Sequence, residues 1–132
     1  MKNKFNIGDK KVYNKIVEQS DIAQFDSGTV HQVCSTFSLA QAVEWSSRLF
    51  VLEMKEVDEE GIGTMLTIEH KSPALIGDKL IITAMVDEIN GNELICNYIV
   101  KVKDRIVAVG KTGQKVLKKE KIDSLFSSLK NG

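Results

Sequence analysis

One stretch of the chain contains neither glycine nor proline over 21 residues: STFSLAQAVEWSSRLFVLEMK, residues 35–55. This stretch predicts a long α-helix, with Ser35, Thr36 and Ser38 supplying oxygens that cap its start. Its apolar residues cover most of the helix circumference, which is typical of a buried helix. A fold for this chain must therefore cover one long helix on several sides at once.

The strands predicted around this helix provide much of that cover. Apolar side chains alternate along them, and Asn90-Gly91-Asn92 is a strong hairpin signal between two of them. Residues 20–34 are mixed, with a loop at residues 26–28, and residues 122–129 fit a short amphipathic helix. The predicted strands are residues 10–18, 61–70, 80–89, 93–103 and 106–117.

The order of these elements is a strand, the long helix and four consecutive strands joined by short connections. Short connections favour antiparallel neighbours, and one antiparallel sheet with a helix against one face is an α+β layout. The 132 residues fit a single domain, with a core at residues 10–117 and a short helical tail at residues 118–132. Loops, the tail or a second subunit must cover the rest of the helix.

Charge and cysteine content exclude several classes of protein. Lys+Arg and Asp+Glu are 18 each, which argues against a nucleic-acid partner, because such domains usually carry a basic excess. The sequence has no apolar run long enough for a signal peptide or a membrane span, so we expect a cytoplasmic protein with no membrane partner. Cys34 and Cys96 form no CxxC and lie among apolar residues, which indicates buried free thiols rather than a metal site.

One of the two histidines ends an apolar strand pattern. Ile62, Thr64, Leu66, Ile68 and His70 alternate along residues 61–70, so they share one face of a regular strand. The same alternation places that face towards the long helix. From the pattern alone, His70 is either a histidine at the edge of the core, bonded to backbone, or a functional residue.

Three sequence pieces stand out by their combined spacing: Thr36 with Glu44 eight residues later, Gly61-x-Gly63-Thr64 with His70 seven residues after Gly63, and Pro73-x-x-x-Gly77-Asp78. Together they resemble the hotdog fold, and more closely the fluoroacetyl-CoA thioesterase-like family of acyl-CoA thioesterases. The resemblance covers residues 10–117, most of the chain. One departure is the last strand, where the family often has a G-x-G-T-H-x-R-like ending and this chain has VGKTGQKVL.

This resemblance implies a sheet wrapped around one central helix and a homodimer as the working unit, with tetramers as a further assembly. It implies hydrolysis of a small or medium acyl-CoA at a site in the dimer interface. The catalytic residues would be Thr36, Glu44 and His70, and Gly63 and Thr64 would bind the substrate. It implies no metal and no cofactor, because CoA is part of the substrate.

Thioester hydrolysis needs an activated attacking group and stabilisation of the oxyanion. Glu44 is suited to act as base for water or as a nucleophile. His70 is suited to acid–base work or to polarising the carbonyl, and Thr36 to orienting water or donating to the oxyanion. Backbone N–H groups of Gly63 and Thr64, or of the helix start, are candidates for the oxyanion hole. Eight helical residues rise about 12 Å, so Thr36 and Glu44 of one chain cannot touch if the helix is continuous.

Structural and functional alternatives remain at this stage. Glu44 lies four residues before Arg48, which also fits a surface ion pair on a helix. Thr36 also fits a helix cap. A non-catalytic acyl-CoA or acyl-carrier binding module on the same fold is the main alternative function, since fold does not determine activity. A hotdog dehydratase is a third, lower-ranked hypothesis, because the Asp-x-x-x-x-His spacing of Asp26 and His31 lies in a segment predicted as a loop, without the surrounding pattern of a dehydratase.

Overall fold

The computed structural model describes residues 1–25 and 28–131, and the side chains of residues 23–31 lie outside the description. It contains eight strands and two α-helices, together with a short 3-10 turn at Gln19–Asp21. Their bounds are β1 Lys10–Ile16, β2 Ile22–Phe25, β3 Gly28–Cys34, α1 Thr36–Met54, β4 Glu59–Leu66, β5 Glu69–His70, β6 Lys79–Asn90, β7 Glu93–Val102, β8 Arg105–Lys118 and α2 Lys119–Asn131.

Six of the strands form one antiparallel sheet in the order β1-β6-β7-β8-β4, with β5 also paired to β8. Helix α1 packs against β1 and β4 at the two edges of this sheet and against the three strands between them. A sheet whose two edges contact one helix must curl around it. The predicted antiparallel sheet around one central helix is therefore what the chain forms.

The core lies between α1 and the concave face of the sheet. The first half of the helix buries Leu39, Ala42 and Val43 against residues that include Leu80 and Tyr98. The second half buries its own apolar side chains against the other end of the sheet, which includes Val86, Leu94 and Cys96. These second-half residues are Phe50, Val51 and Met54.

The outer side of α1 stays uncovered in the single chain. Phe37 is 78% exposed, and Trp45 and Leu52 are each 41% exposed. We expected that one sheet would not cover a helix that is apolar nearly all round. The structure agrees, because one apolar side of α1 faces outward.

The prediction of mixed structure for residues 20–34 missed two strands, and of the loop predicted at residues 26–28 only Gly28 lies within the description, in β3. Strands β2 and β3 form a two-stranded antiparallel sheet of their own, with register irregularities between residues 22 and 24. Those irregularities break the period-two pattern that reveals a strand in sequence. His31 lies in β3, and its side chain and the structure of Asp26 and Ser27 lie outside the described residues.

The expectation that β4 and β5 neighbour the following strand, β6, is also wrong. They pair with β8, and residues 71–78 carry the chain to the far side of the sheet. This segment is fixed by backbone bonds, from Cys34 N–H to the Ala74 carbonyl at 2.8 Å and from Val17 N–H to the Asp78 carbonyl at 2.9 Å. Gly77 has φ +91°, a conformation that favours glycine, so the motif makes a crossing turn rather than a hairpin.

Both cysteines are free thiols. Cys96 is buried, and burial raises the pKa of its thiol to about 12. Cys34 is half-buried, and burial followed by the nearby Asp21 carboxylate raises the pKa of its thiol. Cys96 is the buried thiol that the sequence predicts, whereas Cys34 is only half-buried at the margin of the core.

Candidate active site

A β-bulge divides strand β4 at Thr64. The pairing with β8 shifts by one residue between Gly63 and Met65. Before the bulge, Gly61 and Gly63 face α1: a Cβ at Gly61 would lie 2.6 Å from Cγ1 of Val51. The two glycines therefore let the strand approach the helix more closely than any side chain would permit.

The bulge also exchanges the two faces of the strand, as an inserted residue must. Ile62 neighbours the inward-facing Gly61, so it points to the outer face, and the hydroxyl of Thr64 donates to Glu93 at 2.7 Å. The prediction that Ile62 shares a face with His70 is wrong for this reason. Beyond the bulge, Ile68 packs against the core beneath α1, and His70 also faces the helix.

His70 reaches the start of α1, where its Nε2 lies 3.0 Å from Oγ1 of Thr36. The helix cap is Ser35, whose hydroxyl accepts the N–H of Ser38 at 3.1 Å. The interpretation of Thr36 as the cap is therefore wrong, and its hydroxyl is available to His70. Both side chains are exposed beside the first-turn N–H groups, which have no partner inside a helix and attract anions.

Glu44 projects from the middle of α1 onto Gly63. A Cβ at Gly63 would lie 2.8 Å from Oε1 of Glu44, so the carboxylate occupies the space that the missing side chain leaves. Arg48 donates to Glu60 at 2.7 Å rather than pairing with Glu44. The surface-pair interpretation of Glu44 therefore has no support among the described contacts.

The candidate site residues form two pairs, each of which joins one residue of α1 to one residue of a strand. The threonine–histidine pair, Thr36 and His70, lies at the first turn of α1, and the glutamate–glycine pair, Glu44 and Gly63, lies eight residues further along. Because α1 is continuous over these residues, the two pairs are separated by about 12 Å along the helix axis.

Gln114 is a buried neighbour of Glu44 that the sequence analysis missed. It lies on the inner face of β8, and its Nε2 is 3.3 Å from both the carbonyl oxygen of Glu44 and Oγ of Ser47. Its Oε1 has no hydrogen-bond partner among the described residues. The departure of this strand from the family's ending was the available signal, since Gln114 lies within it.

A cleft of about 410 Å³ opens between α1 and β1, next to Glu44. Two cationic side chains in its wall are already paired, Lys15 with Asp21 at 3.1 Å and Arg48 with Glu60 at 2.7 Å. The wall is otherwise aromatic, aliphatic and neutral polar apart from Glu44 itself. The lining residues are Tyr13, Lys15, Ser38, Gln41, Ala42, Glu44, Trp45 and Arg48.

Two further properties of the described residues limit the kind of site. They contain no cluster of three or more His, Cys, Asp or Glu side chains arranged to hold a metal ion. Within them, no helix combines the length and apolarity needed to cross a membrane.

Comparison with known proteins identifies the family. The model of the fluoroacetyl-CoA-specific thioesterase family, FlK, matches residues 17–120. The chain belongs to this family. A sequence comparison with curated proteins finds no match. The predicted family and the thioester hydrolase activity that it implies are confirmed.

Solved structures confirm the hotdog fold. A Thermus thermophilus thioesterase superfamily member is 27% identical, with a TM-score of 0.91 over 98% of this chain and 96% of that one. The fluoroacetyl-CoA thioesterase FlK is 15% identical, with a TM-score of 0.87 over 96% of this chain and 98% of that one. A hot-dog-like protein from Thermanaerovibrio acidaminovorans is 17% identical, with a TM-score of 0.86 over 94% and 92%.

Proposed function

We propose that this thioester hydrolase cleaves small or medium acyl-CoA esters at a site shared between two subunits of a homodimer. Thr36 and His70 of one subunit and Glu44 and Gly63 of its partner would form each site. The observation that carries the proposal is the separation of these two pairs by about 12 Å along one continuous helix. A single thioester group spans far less than this distance, so the residues need a second subunit to meet.

The free edge of the sheet supports a dimer. Strand β4 ends the described strand order and pairs on one side with β8. An edge strand presents unpaired backbone groups that a second copy can satisfy. Leu66 on this strand is 38% exposed, and a second copy that pairs with β4 would cover it.

Known ligands of the family support an acyl-CoA substrate. FlK variants have been solved with fluoroacetate and CoA, and with acetyl-CoA. The cleft beside Glu44 has the volume of a small-molecule site. Because its two cations are paired within the chain, we propose a neutral acyl group rather than one carrying a carboxylate.

In the proposed reaction, the Glu44 carboxylate takes a proton from water while the water oxygen bonds to the thioester carbonyl carbon. The carbonyl electron pair moves onto oxygen, and the Thr36 hydroxyl, held by His70, and the N–H groups at the helix start stabilise this oxyanion. The oxyanion then collapses and breaks the carbon–sulfur bond. CoA leaves as a thiolate and takes the proton from Glu44, so the reaction needs no metal and no cofactor beyond the CoA of the substrate.

Release of CoA thiol from a panel of acyl-CoAs tests the proposal, with short, branched, aryl and long neutral acyl groups and one dicarboxylic acyl group. We expect wild-type protein to hydrolyse a short or medium neutral class, and Glu44→Gln and His70→Ala to lose about 10²- to 10⁴-fold in kcat. Glu53→Gln is the matched control, because Glu53 lies on the same helix and makes an exposed ion pair with Lys11. No release by wild-type protein, with acyl-CoA still bound, would instead support a non-catalytic binding module.

A further inference from the structure

We propose that Tyr98 is a positioning residue for His70. By donating its hydroxyl to the carbonyl of Thr67, it fixes the break between β4 and β5 and so presents His70 to Thr36. This inference rests on the proposed role of His70 in thioester hydrolysis.

Tyr98 reaches across a neighbouring strand to make this bond. It lies on the inner face of β7, only 2% exposed, directly opposite Gly110 of β8. Its hydroxyl donates to the carbonyl oxygen of Thr67, beyond β8, at 2.7 Å. The bond therefore links the middle of the sheet to the segment between β4 and β5.

Gly110 leaves the space through which the bond passes. A Cβ at this position would overlap the carbonyl oxygen of Thr67 and lie 2.7 Å from the Tyr98 hydroxyl. The Thr67 carbonyl thus turns inward over β8, into space that a β8 side chain would normally fill. A carbonyl turned out of the sheet ladder needs a donor, and the Tyr98 hydroxyl is that donor.

Two more bonds fix Thr67 from the solvent side. Its N–H donates to the Lys111 carbonyl at 2.9 Å, and its Oγ1 accepts the Lys111 N–H at 2.9 Å. Strand β4 ends at Leu66, and pairing resumes with Glu69 opposite Val109 and His70 opposite Ala108. The break between the two strands, fixed at Thr67, therefore lies only three residues before His70.

Packing alone does not account for a tyrosine at this position. A phenylalanine would fill the same part of the core, and a buried hydroxyl is unfavourable unless it is bonded. Burial raises the pKa of Tyr98 to about 12, so its hydroxyl remains protonated and able to donate at any ordinary working pH.

The test combines kinetics with NMR of His70 in Tyr98→Phe, which keeps the ring and removes the hydroxyl. We expect kcat to fall roughly tenfold or more, as for a misplaced catalytic group, with a smaller change in KM and an altered pH profile of kcat/KM. We also expect the imidazole resonances of His70 to shift, after assignment with His31→Gln. Thr112→Val is the control, because it removes another buried hydroxyl from the inner face of β8.

A second variant protects the test if Tyr98→Phe does not fold. Thr67→Val removes the Lys111 bond from an exposed position, and we expect it to shift the same His70 resonances. The inference is overturned if these resonances match the wild-type values in either folded variant, even where kcat falls. The resonances are read without substrate, so an absence of wild-type thioesterase activity would contradict the proposed function and leave this structural test intact.

Discussion

At the level of single residues, the Glu44 carboxylate lies so close to Gly63 that the candidate site has no space for a side chain at position 63. We predict that Gly63→Ala lowers kcat about 10²-fold, because a Cβ 2.8 Å from Oε1 of Glu44 must displace the carboxylate. Steady-state kinetics beside a melting curve would measure this effect. Ile62→Ala, on the opposite face of the same strand, is the control, and equal losses in kcat for both variants would contradict the role of Gly63.

Asp21 is a buried carboxylate that holds the start of α1 to the first strand. Its Oδ2 accepts the Glu18 N–H at 2.9 Å and pairs with Lys15 at 3.1 Å, while its carbonyl accepts the Ser35 N–H at 2.7 Å. Burial alone would raise the pKa of Asp21, but the bonds from Glu18, Lys15 and Ser38 outweigh it and lower this pKa.

A lowered pKa in the folded state means that ionised Asp21 stabilises the protein above its unfolded pKa, about 3.9. That contribution is lost as the pH falls through the lower folded pKa. We predict that Asp21→Asn reduces the free energy of unfolding by about 1–3 kcal/mol at pH 7, and that the difference shrinks below about pH 4. Urea unfolding across this pH range would measure it, and a constant difference down to pH 2 would contradict the account.

Residue types and their spacing were enough to predict part of the candidate site. The sequence placed His70 towards the helix and related it to Thr36, and the structure joins the two side chains at 3.0 Å. It did not reveal Gln114 or Tyr98, because their bonds join residues 70 and 31 positions apart. Such partners depend on strand register, which a single sequence does not specify.

At the level of elements, the β-bulge at Thr64 explains both a success and an error. Strict alternation predicts that Ile62 and His70 share the inner face of the strand. The extra residue at the bulge places Ile62 on the outer face and leaves His70 on the inner face. The long helix follows from its 21 residues without Gly or Pro, and strands β6, β7 and β8 follow from alternating apolar patterns. The β2–β3 sheet does not, because its register shifts interrupt the pattern within seven residues.

Helix α2 offers a matched test of how the tail is attached. Ile122 is 8% exposed and Leu129 is 77% exposed on the same helix. We predict that Ile122→Ala lowers the free energy of unfolding by about 1–3 kcal/mol, whereas Leu129→Ala changes it by less than about 0.5 kcal/mol. Chemical denaturation measures both, and equal losses would show that another part of the assembly covers Leu129.

At the scale of the whole molecule, the free edge of β4 and the uncovered side of α1 favour association. We predict that wild-type protein is a dimer and that Leu66→Lys makes it a monomer, because a charge on an exposed edge strand opposes pairing. Ile99→Lys is the control, since Ile99 is 42% exposed on the outer face of the sheet and Leu66 is 38% exposed. Light scattering after gel filtration measures both, and a dimeric Leu66→Lys protein would place the interface elsewhere.

The most direct test of the shared site is the activity of a mixed dimer. Glu44→Gln and His70→Ala chains, carrying different tags and co-expressed, would be purified through both tags and assayed on the best acyl-CoA substrate. If each site takes Glu44 from one subunit and His70 from its partner, the mixed dimer has one intact site of two and recovers about half of the wild-type activity. If Glu44 and His70 of the same subunit act together, neither site is intact, and an inactive mixed dimer would contradict the account.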